Sequence, residues 1–117
     1  MPIKSFEDII AWQKARELYA ILYKSLATSK DYSYKDQLLR ASLSIINNIA
    51  EGFDRGTNKE LKQFLVISRG SAAEVRSMLI IAGDLGLLPP DQVKELLVLV
   101  KDISRLLTGF IKSISHD

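Results

Sequence analysis

The stretch Gln37-Leu38-Leu39-Arg40-Ala41-Ser42-Leu43-Ser44-Ile45-Ile46-Asn47-Asn48-Ile49-Ala50-Glu51-Gly52-Phe53 decides the fold of this chain. Wound at about 100° per residue, its apolar side chains cover an arc of roughly 200°: Leu38, Leu39, Ala41, Leu43, Ile45, Ile46, Ile49, Ala50 and Phe53. Polar residues gather on what remains. A helix in an ordinary bundle needs only about half that arc, so the segment predicts a core face and apolar surface beyond it.

Outward from this segment, three more stretches carry the same periodicity. The first runs from about Phe6 to Ala27, with Ser5 and Asp8 forming a weak capping box and Ala11, Ala15, Leu18, Leu22 and Leu26 making one stripe flanked by Trp12, Tyr19 and Tyr23. Thr28-Ser29-Lys30-Asp31 interrupts it. Ser33 with Asp36 is the expected cap of the second helix, which should reach Arg55 and close at Gly56. Thr57 with Glu60 opens a third, running to about Leu85 before Gly86. Pro89-Pro90-Asp91 halts the chain and restarts it as a fourth, reaching about Ile114. Long helices with short connections must lie antiparallel to their neighbours, which predicts an all-α, up-down-up-down four-helix bundle.

Composition agrees. The chain has 117 residues, enough for one core, and residues 1–117 are read as a single domain. Hydrophobic residues make up 47% and charged residues 26%, the balance of a packed protein. There is no cysteine, which excludes a disulfide framework and suits a reducing compartment; with no signal-like start, the cytoplasm is the expectation. No apolar run is long enough to cross a membrane.

Enzyme chemistry needs a nucleophile, a well-placed acid or base, or a metal. The single histidine, His116, stands at the end of the chain, and no inward-facing Glu-x-x-His pair could bind iron. Gly52 and Gly56 lack the sequel of a phosphate loop and read as close packing and a cap. No catalytic, metal or cofactor residue is assigned, and no small-molecule substrate is expected.

The polar arc of the second helix groups Gln37, Arg40, Ser44, Asn47, Asn48, Glu51 and Arg55 into one seam. If the hairpin folds about Gly56-Thr57, Arg40 comes near Glu74, Ser44 near Arg69 and Glu51 near Lys62. An Arg40–Glu74 ion pair is expected. Surplus apolar residues also occur on the third helix (Val66, Ile80, Ile81) and the first (Ile10, Ile21), and predict self-association.

The run Arg40 to Phe53 resembles the signature of the four-helix proteins encoded by intervening sequences of 23S rRNA genes, also called the S23 family. Phe6-Glu7-Asp8 with Ala11-Trp12-Gln13-Lys14-Ala15 is similar to that family's opening, and Phe64-Leu65 with Gly70-Ser71-Ala72-Ala73-Glu74 to its third helix. The resemblance implies a homopentamer with no assigned enzymatic activity, and a fold similar to the accessory proteins of diversity-generating retroelements, which bind nucleic acid. This chain departs from those in its net charge of only +2.

Charge placement bears on that point. Lys62, Arg69 and Arg76 recur every seven residues along one edge of the third helix, and Lys94, Lys101, Arg105 and Lys112 form a looser set on the fourth. Glu60, Glu74, Glu95 and Asp102 interleave with them. The expected partners are further copies of the chain and RNA, or an RNA-associated protein, on these basic edges. The competing expectation is a structural adaptor that binds another protein and has no nucleic-acid role.

Overall fold

The computed structural model describes residues 3–114, so His116 lies outside the described residues. Four α-helices follow one short 3-10 turn: α1 is Ile10–Ser25, α2 Tyr32–Asp54, α3 Asn58–Asp84 and α4 Pro90–Ile114. The sequence places the first helix too early and ends it too late. The Asp8 carboxylate accepts from the backbone N–H groups of Lys4 and Ser5, so the capping pair closes only the 3-10 turn Phe6–Asp8; Ile9 is extended, and α1 starts after it.

The expected Ser33 cap also moves. Asp31 occupies that position instead, its carboxylate accepting from the Tyr34 N–H at 3.2 Å. A carboxylate satisfies the free amide and also faces the positive end of the helix dipole, an advantage serine lacks. The other start and stop signals act as read. Thr57 accepts from the Glu60 N–H at 3.2 Å and heads α3. Gly56 and Gly86 take positive φ, 87° and 72°, where a side chain would strain the backbone.

Each helix packs on its two neighbours and diagonal pairs do not meet, which gives a four-cornered antiparallel bundle measuring 45 × 21 × 20 Å. Leucine and isoleucine fill the centre, with Leu18, Leu22, Leu38, Ile45, Ile49, Leu65, Leu79, Leu96, Ile103 and Leu107 fully buried. Two close approaches set the spacing between helices. A methyl group on Gly52 would stand 2.5 Å from Cβ of Phe64, and Gly83 lies against Val93. Glycine at these points lets α2 meet α3, and α3 meet α4, nearly backbone to side chain.

Much of the broad apolar arc of α2 belongs to the protomer itself. Ile45 and Ile46 are buried and Phe53 packs half-buried against the core, as does Ile21 of α1, so these side chains are not surplus. Helices on both sides of α2 share its wide face, which is why the arc exceeds that of a helix with one buried stripe. Leu43 is the exposed member of that arc, and other exposed aliphatic residues include Ile10, Leu85, Val98, and on α3 Val66, Ile67, Ile80 and Ile81. Ile67, 52% exposed, is absent from the surplus set read in the sequence.

Candidate functional site

The polar seam of α2 is a junction with α3 built on short side chains. The hydroxyls of Ser44 and Ser71 hydrogen-bond at 2.9 Å, and Asn48 donates to the Ser44 carbonyl at 2.8 Å and to its hydroxyl at 3.0 Å. One turn deeper, the buried Ser68 donates to the Ile45 carbonyl at 2.8 Å. Short side chains let the helices close up while satisfying polar groups that the contact would otherwise strand. Sequence reading missed Ser71 as a partner; its signal was a small polar residue placed opposite Ser44 in the folded hairpin.

The charged members of the seam do not pair as expected. Arg40 and Glu74 are both exposed, with no ion pair between them; an exposed pair of long side chains gains little for the entropy it gives up. Glu51 turns to Arg55, one turn along its own helix at 2.8 Å, instead of to Lys62. Arg55 also reaches Glu60 at 3.7 Å and lies 5.0 Å above the Phe64 ring, clasping the α2–α3 turn. The Glu51 hydrogen bond raises the Arg55 pKa above its already high ordinary value, so the clasp stays charged. Asn47 is exposed.

Arg69 was expected near Ser44, and the fold turns it the other way. Its Nη1 donates to the Thr108 hydroxyl of α4 at 3.3 Å. With Gly83 against Val93, this sets the register of α3 on α4 and brings Arg76 level with Lys101. Lys62, Arg69 and Arg76 therefore run beside α4, whose outer side carries Lys94, Lys101, Arg105 and Lys112. Beside Arg69 and Thr108 lies a shallow groove of about 360 Å³, lined by Ser104, Arg105, Thr108, Gly109 and Lys112.

Of the four acids that interleave with these cations in sequence, only Asp102 is paired with one of them in space. Glu60 faces α2, where it meets Arg55. Glu74, about 200° around α3 from Arg76, faces the same way. Gln92 hydrogen-bonds Ser25 at 2.6 Å, which marks the α1 side of α4, and Glu95 is one turn further along that side. Asp102 keeps one link to the basic face, an exposed 3.7 Å pair with Arg105. Asp84 and Asp91 flank the turn near Lys94, so the basic face is purest from Arg76 and Lys101 to the other end of the bundle.

A family model described as 23S rRNA-intervening sequence protein matches residues 7–109, nearly the whole of the four helices. The chain belongs to this family. Among solved structures it is similar to a protein of the S23 ribosomal protein family from Bacteroides thetaiotaomicron, whose crystal structure is described as that of a protein with unknown function. Identity is 23%, the TM-score 0.82, and the match covers 88% of this chain and 99% of that one. At that identity the likeness concerns the fold. No curated protein matches by sequence. Neither description names a reaction, and among the described residues no cluster of acids and histidines could hold a metal. No described helix is long and apolar enough to cross a membrane.

Proposed function

We propose that this protein is a non-enzymatic homo-oligomeric bundle that binds RNA through the basic face of α3 and α4. The observation that carries the reading is the hydrogen bond from Arg69 to Thr108. It turns the Lys62, Arg69 and Arg76 edge toward α4, beside Lys101, Arg105 and Lys112, while Glu60 meets Arg55 and the exposed Glu74 and Glu95 lie around their helices from that edge. Local charge therefore exceeds what a net charge of +2 implies. Phosphate contact depends on that local density, because each neutralised phosphate releases condensed counterions. Self-association rests on the exposed Val66, Ile67, Ile80 and Ile81 of α3. Five copies, the number the family resemblance implies, would multiply the face.

Fluorescence anisotropy with a labelled RNA, at two salt concentrations, tests the reading. Binding that weakens steeply with salt and is lost in the Lys62→Glu, Arg69→Glu, Arg76→Glu triple variant supports it. Binding unchanged by those substitutions, or no binding by the parent protein, overturns it and leaves the adaptor role.

A further inference from the structure

Resting on that RNA reading, the geometry points to a narrower ligand: we infer that the α3–α4 face binds double-stranded RNA along its phosphate backbone, with no contact to the bases. Proteins that hold single strands stack unpaired bases on aromatic side chains. This face has none. The Phe64 side chain lies against Gly52 on the α2 side, and Phe110 is directed toward α1, in a cleft with Ile9, Ile10 and Ala11. The tyrosines and tryptophan all sit on α1 or α2.

What the face does offer is cations at fixed intervals on rigid elements. Residues seven apart on α3 rise about 10.5 Å per step, and the α4 set lies alongside, about 8–10 Å away between helix axes. The shallow groove on α4, beside Arg105 and Lys112, supplies the hydroxyls of Ser104 and Thr108, suited to phosphate oxygens and ribose 2′-hydroxyls. A stiff pattern of charge matches a stiff ligand, whereas a flexible strand must lose conformational freedom to follow it. Without base contacts, affinity comes from counterion release, which is larger for each phosphate on a duplex than on a single strand.

Anisotropy with a labelled RNA duplex of about 20 base pairs, and with an unstructured single strand of equal length, tests this inference. If four cations near Arg69 engage phosphates, raising salt from about 50 to about 200 mM weakens duplex binding about 150-fold and single-strand binding about 50-fold. The duplex should bind more tightly at the lower salt, scrambling its sequence should change nothing, and Arg105→Glu with Lys112→Glu should weaken it. Circular dichroism checks that the variant is folded. Single-strand binding equal to or tighter than duplex binding overturns this inference and leaves the RNA reading standing. Sequence-dependent duplex binding also overturns it. Binding of neither RNA overturns both.

Discussion

Gly52 of α2 and Phe64 of α3 compete for one volume: a methyl group on the glycine would stand 2.5 Å from the phenylalanine β-carbon. That atom is anchored to the α3 backbone and cannot rotate away. In an isolated helix, replacing glycine by alanine stabilises by up to about 1 kcal/mol. Here Gly52→Ala is expected to destabilise, by about 1–3 kcal/mol, because two helices must move apart. Urea denaturation, read as a lower midpoint at unchanged slope, checks it.

Two buried serines should respond in opposite directions to the same change. Ser68 donates to the Ile45 carbonyl at 2.8 Å, whereas the equally buried Ser42 hydroxyl has no hydrogen-bond partner. Ser68→Ala should cost about 0.5–1.5 kcal/mol, and Ser42→Ala should be neutral or stabilising because it removes an unpaid desolvation. Thermal melts of the two variants side by side decide this. A large loss in Ser42→Ala would contradict it.

Tyr34 links α2 to the far end of α3, its hydroxyl donating to the Met78 carbonyl at 2.6 Å. Burial, then the charge of Asp31, raises its pKa above the ordinary 10.0. The folded state thus favours the neutral phenol. The resulting stability is complete below pH 10 and is lost as pH climbs through the raised folded value. Tyr34→Phe should cost about 0.5–1.5 kcal/mol at neutral pH, and its deficit relative to the parent should shrink in alkali. Denaturation midpoints measured across pH 8–11 (conditions set about the phenol range) would show the two curves converging.

Exposure on α3 predicts where charge interferes with assembly. Ile67→Lys with Ile80→Lys places two cations at positions 52% and 46% exposed in the protomer, so the helix content should be unchanged. Light scattering should nevertheless report a lower mass than that of the parent protein. A parent protein that is already monomeric at micromolar concentration would remove the basis for the proposed oligomer.

Much of the architecture was legible from local signals. Thr57 with Glu60, Gly56, Gly86 and Pro89-Pro90 mark their turns because capping and backbone conformation depend on residues within a few positions of one another. Local competition explains the misplacements too. At the start of α2 the expected cap was Ser33, whereas the charged Asp31, two residues earlier, holds it. At the start of α1 the capping box was genuine, but Ile9 adopted an extended conformation after one 3-10 turn. How much of the broad apolar arc of α2 exceeds the needs of the core was harder to judge, since a helical wheel shows which residues are apolar and not how many neighbouring helices will cover them, as they cover Ile45 and Ile46.

By itself, then, the sequence determined the number of helices, their antiparallel course and the turns between them, all products of short-range periodicity and backbone preference. Tertiary structure decided which charged side chains meet. Arg69 reaches Thr108 instead of Ser44, Arg40 and Glu74 stay apart, and of the interleaved acids Glu60 turns to Arg55 while Asp102 stays beside Arg105. These outcomes depend on how far each helix rotates about its own axis. Core packing and the approaches of Gly52 to Phe64 and of Gly83 to Val93 set that rotation. It is a property of helix pairs, and a modest change in it swings a long side chain from one groove into the next.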